Sequence, residues 1–441
     1  MTVAVMKTKA EQALTEQFES IAPRLPGGDA VVAARKSAIG AFAALGLPHR
    51  RIEEFKYTDL RTALKDVPAP AVRDETVVDA AAIEAALGAL AAVEADRIVF
   101  VNGRHLPELS RIAAATGVDV APLGRSLADA PHKVAERLSR TTQADDAIAT
   151  LNTAYMTDGA VIRVADGTKV ERPLMLVFAT AGAAALTTTR NIVAVGAGAE
   201  VTILEAFVAL PGAADGCTNS LTDISVGDGA NVTHVKAIAA RHDTHLANWL
   251  VGIGAESSYR GFQYTESPAL ARNQVFISFT GERAKLDFSG AFLARGGEHV
   301  DTTLFVDHAT PGCESRELFK GVLDDRARGV FQGKIVVRQI AQKTDGKQMA
   351  QALMLSEDAE FDSKPELEIY ADDVACGHGS TSAELDRDLI FYCRARGISE
   401  AEARALLTES FIGEAIDRVE NESVRDALMA AARNWLRKKA G

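Results

Sequence analysis

A cysteine and a histidine two residues apart, Cys376 and His378, are the pair in this chain best suited to chemistry. In extended backbone, alternate side chains leave on the same face, so the thiol and imidazole would stand together. Such a pair is half of a tetrahedral metal site, or a nucleophile beside its base. The plainer alternative is a packed thiol next to a hydrogen-bonded surface histidine at a tight turn. Gly377 and Gly379 flank the histidine and leave the backbone thin enough for a close approach.

The elements that would position the pair are strands. Pro365 to Tyr370 alternates Leu367 and Ile369 with Glu366, Glu368 and Tyr370, and Asp372-Asp373 reads as the turn that follows. From about Tyr155 to Tyr370 the chain is a series of short Val/Ile/Thr/Leu runs separated by Gly, Asp and Asn. Examples are Ala160–Val164, Leu174–Phe178, Asn191–Val195, Thr202–Phe207 and Gly333–Val337. Turn-like segments recur at Gly198, Gly229, Gly254 and Gly281, at intervals of 31, 25 and 27 residues. That spacing predicts a solenoid with two or three strands per rung, a parallel β-helix. A β-sandwich would favour Asn-Gly-type hairpin turns, which are almost lacking. Stacked rungs leave open edges that must be covered, and the helical ends of the chain are the expected caps.

Helical periodicity marks both ends. Lys7–Ala22 and Asp29–Leu45 are separated by a Pro-Gly-Gly break, and Ala80–Ala92 and Ala130–Ala149 follow, with a strand at Arg97–Val101. After Asp386 a short helix runs to Arg396. Ser399 and Glu402 then form an S-x-x-E capping box, and a last helix spans Val424–Lys439. Three regions result: 1–154 mostly helical, 155–384 the β-helix core, and 385–441 helical.

The 441 residues carry a net charge of −12, which argues against a nucleic-acid surface. No apolar run approaches the ~20 residues of a membrane span, and the first residues run quickly into charges, so a cytoplasmic protein is expected. Cys217, Cys313, Cys376 and Cys393 are too scattered for a local four-cysteine site. Asp307-His308 with Cys313 forms a second group, in which a Pro311-Gly312 turn would expose the thiol. Asp324, Asp325 and Arg326 resemble the charged sets of sugar-cleaving β-helix enzymes, though consecutive charges more often mark a solvated turn. His242 and His245, like His49, His105 and His132, read as surface residues. P-loop, G-x-G-x-x-G, HExxH and G-x-S-x-G patterns are all lacking.

Longer blocks carry a resemblance. The segments GLPHRRIEEFKYTDL (46–60), LNTAYMTDGAVIRV (151–164), DHATPGCESRELFKGVL (307–323), 342–381 and 387–403 together resemble the SufB/SufD family of iron–sulfur cluster assembly proteins across nearly the whole chain. The resemblance implies a right-handed parallel β-helix core between helical terminal regions. It implies a non-catalytic scaffold subunit that pairs with a SufB-like subunit and docks a SufC-like ATPase through roughly Ser399–Val419. On it, His378, with Cys376 beside it, would supply metal ligands to a transient iron or Fe–S cluster shared with the partner. The isolated chain could also pair with itself. This chain itself would bind no ATP, and the residues do not place a flavin. The family wording Cys-Ser-His-Gly-Ala-Thr-Val-Gly departs here to Cys376-Gly377-His378-Gly379-Ser380-Thr381-Ser382-Ala383. Gly379 stands where SufB-like members carry Glu. The alternatives are a β-helix carbohydrate-active enzyme and a purely architectural subunit.

Overall fold

The computed structural model describes residues 7–71, 76–113, 116–138, 146–239 and 243–437. Its centre is a parallel β-solenoid whose strands alternate between two walls. One wall runs from Asp96–Val101 through Leu174–Thr180 to Ala375–Ala383, and the other from Ala160–Val164 to Glu360–Ile369. From Leu174–Thr180 onward each strand pairs in parallel with the one a full rung earlier, as Asp345–Met354 does with Glu314–Leu323. Alternate side chains point into the lumen, where Phe288, Phe319, Phe331, Ile335 and Val337 pack in one continuous core.

The turns explain the irregular repeat. Gly198, Gly229, Glu256, Arg283, Gly312 and Lys343 occupy matching corners, all with positive φ between 54° and 71°. Each donates its N–H to the next turn, as Gly198 does to Asp228 O at 2.8 Å and Glu256 to Glu282 O at 2.8 Å. Gly254 therefore matches Gly196 and Gly227 rather than Gly198 and Gly229. At that place the turns stack backbone on backbone: a Cβ on Gly281 would lie 2.0 Å from Ala255 N.

The terminal helices lie along the flanks of the solenoid instead of capping both its ends. Outward Tyr264, Ala291, Leu293 and Val322 share an apolar cluster with Ile412, Ile416, Leu428 and Trp435 of the last helices. Leu186, Cys217, Leu246 and Leu270 on the other wall meet Leu14, Phe18, Phe42 and Tyr155 of the first ones. Both walls have apolar outer faces, and the helices remove those faces from water. The expected helix at Asp29–Leu45 is present, and the one expected at Ala80–Ala92 is α-helical to Leu87 and continues as a 3-10 turn over Gly88–Ala92. Ala130–Ala149 is not one helix: short turns at Pro131–Lys133 and Ala135–Leu138 precede Ala147–Tyr155, which Asp146 caps. Residues 139–145 lie outside the described residues. No helix among the described residues is long and apolar enough to cross a membrane.

A candidate metal site at the open rim

The last two strands, Glu360–Ile369 and Ala375–Ala383, are each the edge of their wall, and no further strand pairs with either among the described residues. Their placement is fixed from the previous rung. Tyr370 N–H donates to Val337 O at 2.9 Å, Lys343 N–H to Asp373 O at 2.7 Å, and Ala375 N–H to Thr344 O at 2.9 Å. The Gln342 side chain accepts from Asp373 N–H at 2.9 Å, which closes the Asp372-Asp373 turn. Leu367 packs inward against the luminal core, as its alternation predicts.

Cys376 and His378 do share a face, and that face is the lumen. Cys376 lies opposite Gly346, and His378 opposite Gln348. The thiol is half-buried against the luminal core, whereas the imidazole is exposed because no rung follows it. Burial, with the nearby Asp345 and Glu317 carboxyls adding to it, pushes the Cys376 thiol above its usual range. The glycines serve different ends. A Cβ on Gly379 would stand 2.6 Å from Met349 Cε, whereas one on Gly377 would meet nothing within 4 Å.

One rung inward, Glu317 is buried opposite Gln348. Burial pushes its carboxyl up to about 8, outweighing the opposing effects of Ser315 and Arg316. Ser315 Oγ lies 3.0 Å from Nε2 of His308. His308 is itself luminal and packs at a tilt against Phe279, and burial lowers its pKa to about 4. A cavity of about 520 Å³ opens at these strands, and its lining includes Glu317, Gln348, Cys376 and His378 as well as Arg316 and Arg418.

Other expected groups resolve differently. Cys313 is fully buried, its Sγ 3.4 Å from Gly281 O, because the Pro311-Gly312 turn folds it into the lumen rather than exposing it. His245 is also buried, 3.3 Å from Ser220 Oγ, since its strand points it inward. His242 lies outside the described residues. Asp324 is buried at a turn where it accepts from Asp325 N–H at 2.9 Å, and Asp325 and Arg326 are exposed there. They form a corner of the solenoid. The capping box at Ser399 and Glu402 is present. Beside it, Leu389, Phe391, Tyr392 and Leu406 are exposed on the C-terminal helices.

The polar filling of the lumen escaped the sequence reading. Glu205 sits 3.2 Å from Lys236 Nζ, and it meets His234 Nε2 at 2.9 Å and Thr222 Oγ1 at 2.7 Å. Period-two alternation would have placed Glu205 and Glu317 on inward positions, had the register of each strand been known. Among the described residues no three His, Cys, Asp or Glu side chains stand together as a ready metal site. The rim thus offers two soft-to-borderline ligands at an unpaired double edge, which is less than a cluster needs.

Comparison with known proteins finds matches along most of the chain. Residues 178–411, which include the rim, match the family model described as SUF system FeS cluster assembly, SufBD core domain. Residues 9–176 match the SufBD protein N-terminal region. An iron–sulfur cluster assembly SufBD family protein of Synechocystis is 31% identical over 89% of this chain and 88% of its own length. The iron–sulfur cluster assembly protein SufD of Escherichia coli is 28% identical over 87% of this chain and 88% of its own.

Proposed function

This chain belongs to the SufBD family of the SUF iron–sulfur cluster assembly system, and from that premise we propose that it is a scaffold subunit whose rim is one half of a cluster-building site. The observation that carries the reading is the coincidence of Cys376–His378 with two unpaired edge strands. An edge of exposed N–H and C=O groups is a template for another chain. A cluster asks for about four ligands, mostly thiolate. A SufB-like partner paired along the rim would bring the missing ligands and bury the exposed His378, so the nascent cluster is cargo held between two chains.

His378 is exposed at the rim and acts as the first ligand, while Cys376, further in and held as a thiol by burial, is the reserve ligand. The chain supplies no catalytic step of its own. A SufC-like ATPase docks on the C-terminal helices, where Leu389, Phe391, Tyr392 and Leu406 offer apolar contact area. Its hydrolysis cycle would alter how the two rims meet. Anaerobic reconstitution of the co-expressed complex tests the reading through visible absorption. His378→Ala should abolish cluster formation while the subunits still co-purify. Unchanged cluster yield would leave only an architectural role.

A further inference from the structure

Two columns of inward side chains end at the rim. One runs Leu286, Ser315, Gly346, Cys376 and the other Phe288, Glu317, Gln348, His378. Leu286 and Phe288 are part of the apolar luminal core, and beyond them the filling turns polar. Glu317 is only 3% exposed, and neither of its carboxylate oxygens has a hydrogen-bond partner among the described residues. Oε1 of Gln348 is likewise without a donor, while its Nε2 lies 3.3 Å from Gly333 O. Ser315 is close enough to favour the charged carboxylate, but its Oγ meets His308 and makes no well-formed hydrogen bond to Glu317, and Arg316 pairs with Asp345 at 2.6 Å on the outer face. Buried acceptors lacking donors cost stability. They need an explanation, and oxygen acceptors without donors suit a cation.

Gly346 opens the space between these acceptors and Cys376. A Cβ there would sit 3.4 Å from Ser315 Oγ, 3.6 Å from Ile335 Cδ1 and 3.7 Å from Cys376 Sγ, ordinary contacts on every side. A methyl-sized gap therefore separates Cys376 from the rung that holds Glu317.

We propose that Glu317 is the inner carboxylate of the rim site, taking a divalent cation of the ferrous type together with the Gln348 amide oxygen and the Cys376 sulfur. Two carboxylate oxygens, an amide oxygen and a thiolate form a mixed set that suits a borderline divalent ion. To hold the ion, Glu317 and Cys376 turn into the space above Gly346. Glu317 and Cys376 each release a proton to solvent as the metal–oxygen and metal–sulfur bonds form. The inference rests on reading the rim as the place where the cluster is built, and it makes this chain an iron-receiving half.

The purified full-length chain, titrated anaerobically with Co²⁺, reports on the site through thiolate-to-cobalt absorption. The native chain should show that absorption. Glu317→Gln should weaken binding by at least about tenfold, the usual loss when a ligand or its support is removed. Gly346→Ala, which removes no polar group and fills the gap, should weaken it comparably with the far-UV circular dichroism unchanged. If Glu317→Gln fails to fold, Gly346→Ala still decides. Absence of cobalt absorption in the native chain, or native affinity in a folded variant, overturns the proposal. In the co-expressed complex, cluster loss with His378→Ala but not with Glu317→Gln, alongside native cobalt affinity in the latter, removes Glu317 and leaves the rim reading intact. Full cluster yield with His378→Ala overturns the rim reading whatever the cobalt result.

Discussion

Glu205 and Lys236 face each other on adjacent rungs deep in the solenoid, Nζ to Oε2 3.2 Å, with no exposure of either side chain. Lys236 also lies over the Trp249 ring, 4.8 Å from its centroid. Removing one member of such a pair strands the other charge in an apolar interior. Lys236→Met should therefore destabilise the chain by about 3–5 kcal/mol, measured by urea unfolding. The double variant Glu205→Gln/Lys236→Met should recover much of that loss. Additive losses would show that the two side chains do not act as a pair.

Acid should find the same pair. Burial alone would raise the Glu205 carboxyl, but Lys236, His234 and Thr222 outweigh it and hold it at about 2, below the usual 4.5. A carboxyl depressed on folding stabilises the fold above its unfolded pKa and loses that contribution as pH falls through its folded one. Stability should decline between about pH 4.5 and pH 2, on the order of 3 kcal/mol from this group, and Glu205→Gln should flatten that part of the profile.

Glu317 predicts the opposite slope. Its carboxyl is raised on folding to about 8. Its contribution is therefore full below pH 4.5 and is lost as pH rises toward 8. Glu317→Gln should raise the unfolding midpoint at pH 8 and change it little at pH 4. A native profile that is flat over this window and matches that of the variant would refute the burial of an ionisable carboxyl. A residue that costs stability at neutral pH fits retention for a function other than folding.

The stacked corner at Gly281 tolerates no side chain. Gly281→Ala would place Cβ 2.0 Å from Ala255 N, a backbone atom that only a parting of the rungs can move. A loss on the order of 2–4 kcal/mol in thermal or urea unfolding is expected, whereas Gly377→Ala, with open space around it, should cost little stability.

The exposed aromatic residues of the C-terminal helices carry the docking prediction. Phe391→Ser with Tyr392→Ser should leave the fold intact, because both side chains are more than half exposed. Co-purification with a SufC-like ATPase should fall sharply. Retention at the native level would move the docking surface elsewhere.

Much of this protein is written locally. Short runs rich in Val and Ile such as Ala160–Val164 became strands with the same bounds, because the strand preference of β-branched residues acts over a few neighbours. Ser399 and Glu402 closed their capping box for the same reason. That Cys376 and His378 share a face also followed from spacing alone. Other outcomes depended on which face of each strand is inward, and only the register between rungs sets that. It buried Cys313 and His245, paired Glu205 with Lys236, and left Glu317 without a partner beneath the rim. It also sent the terminal helices to the flanks, since apolar outer faces exist only once the walls have formed. The sequence determined the strands, the caps and the Cys–His pair, because backbone preference and side-chain alternation are short-range. Tertiary structure decided that the pair stands at an open double edge above a buried carboxyl, because stacking brings together residues that are far apart in the chain.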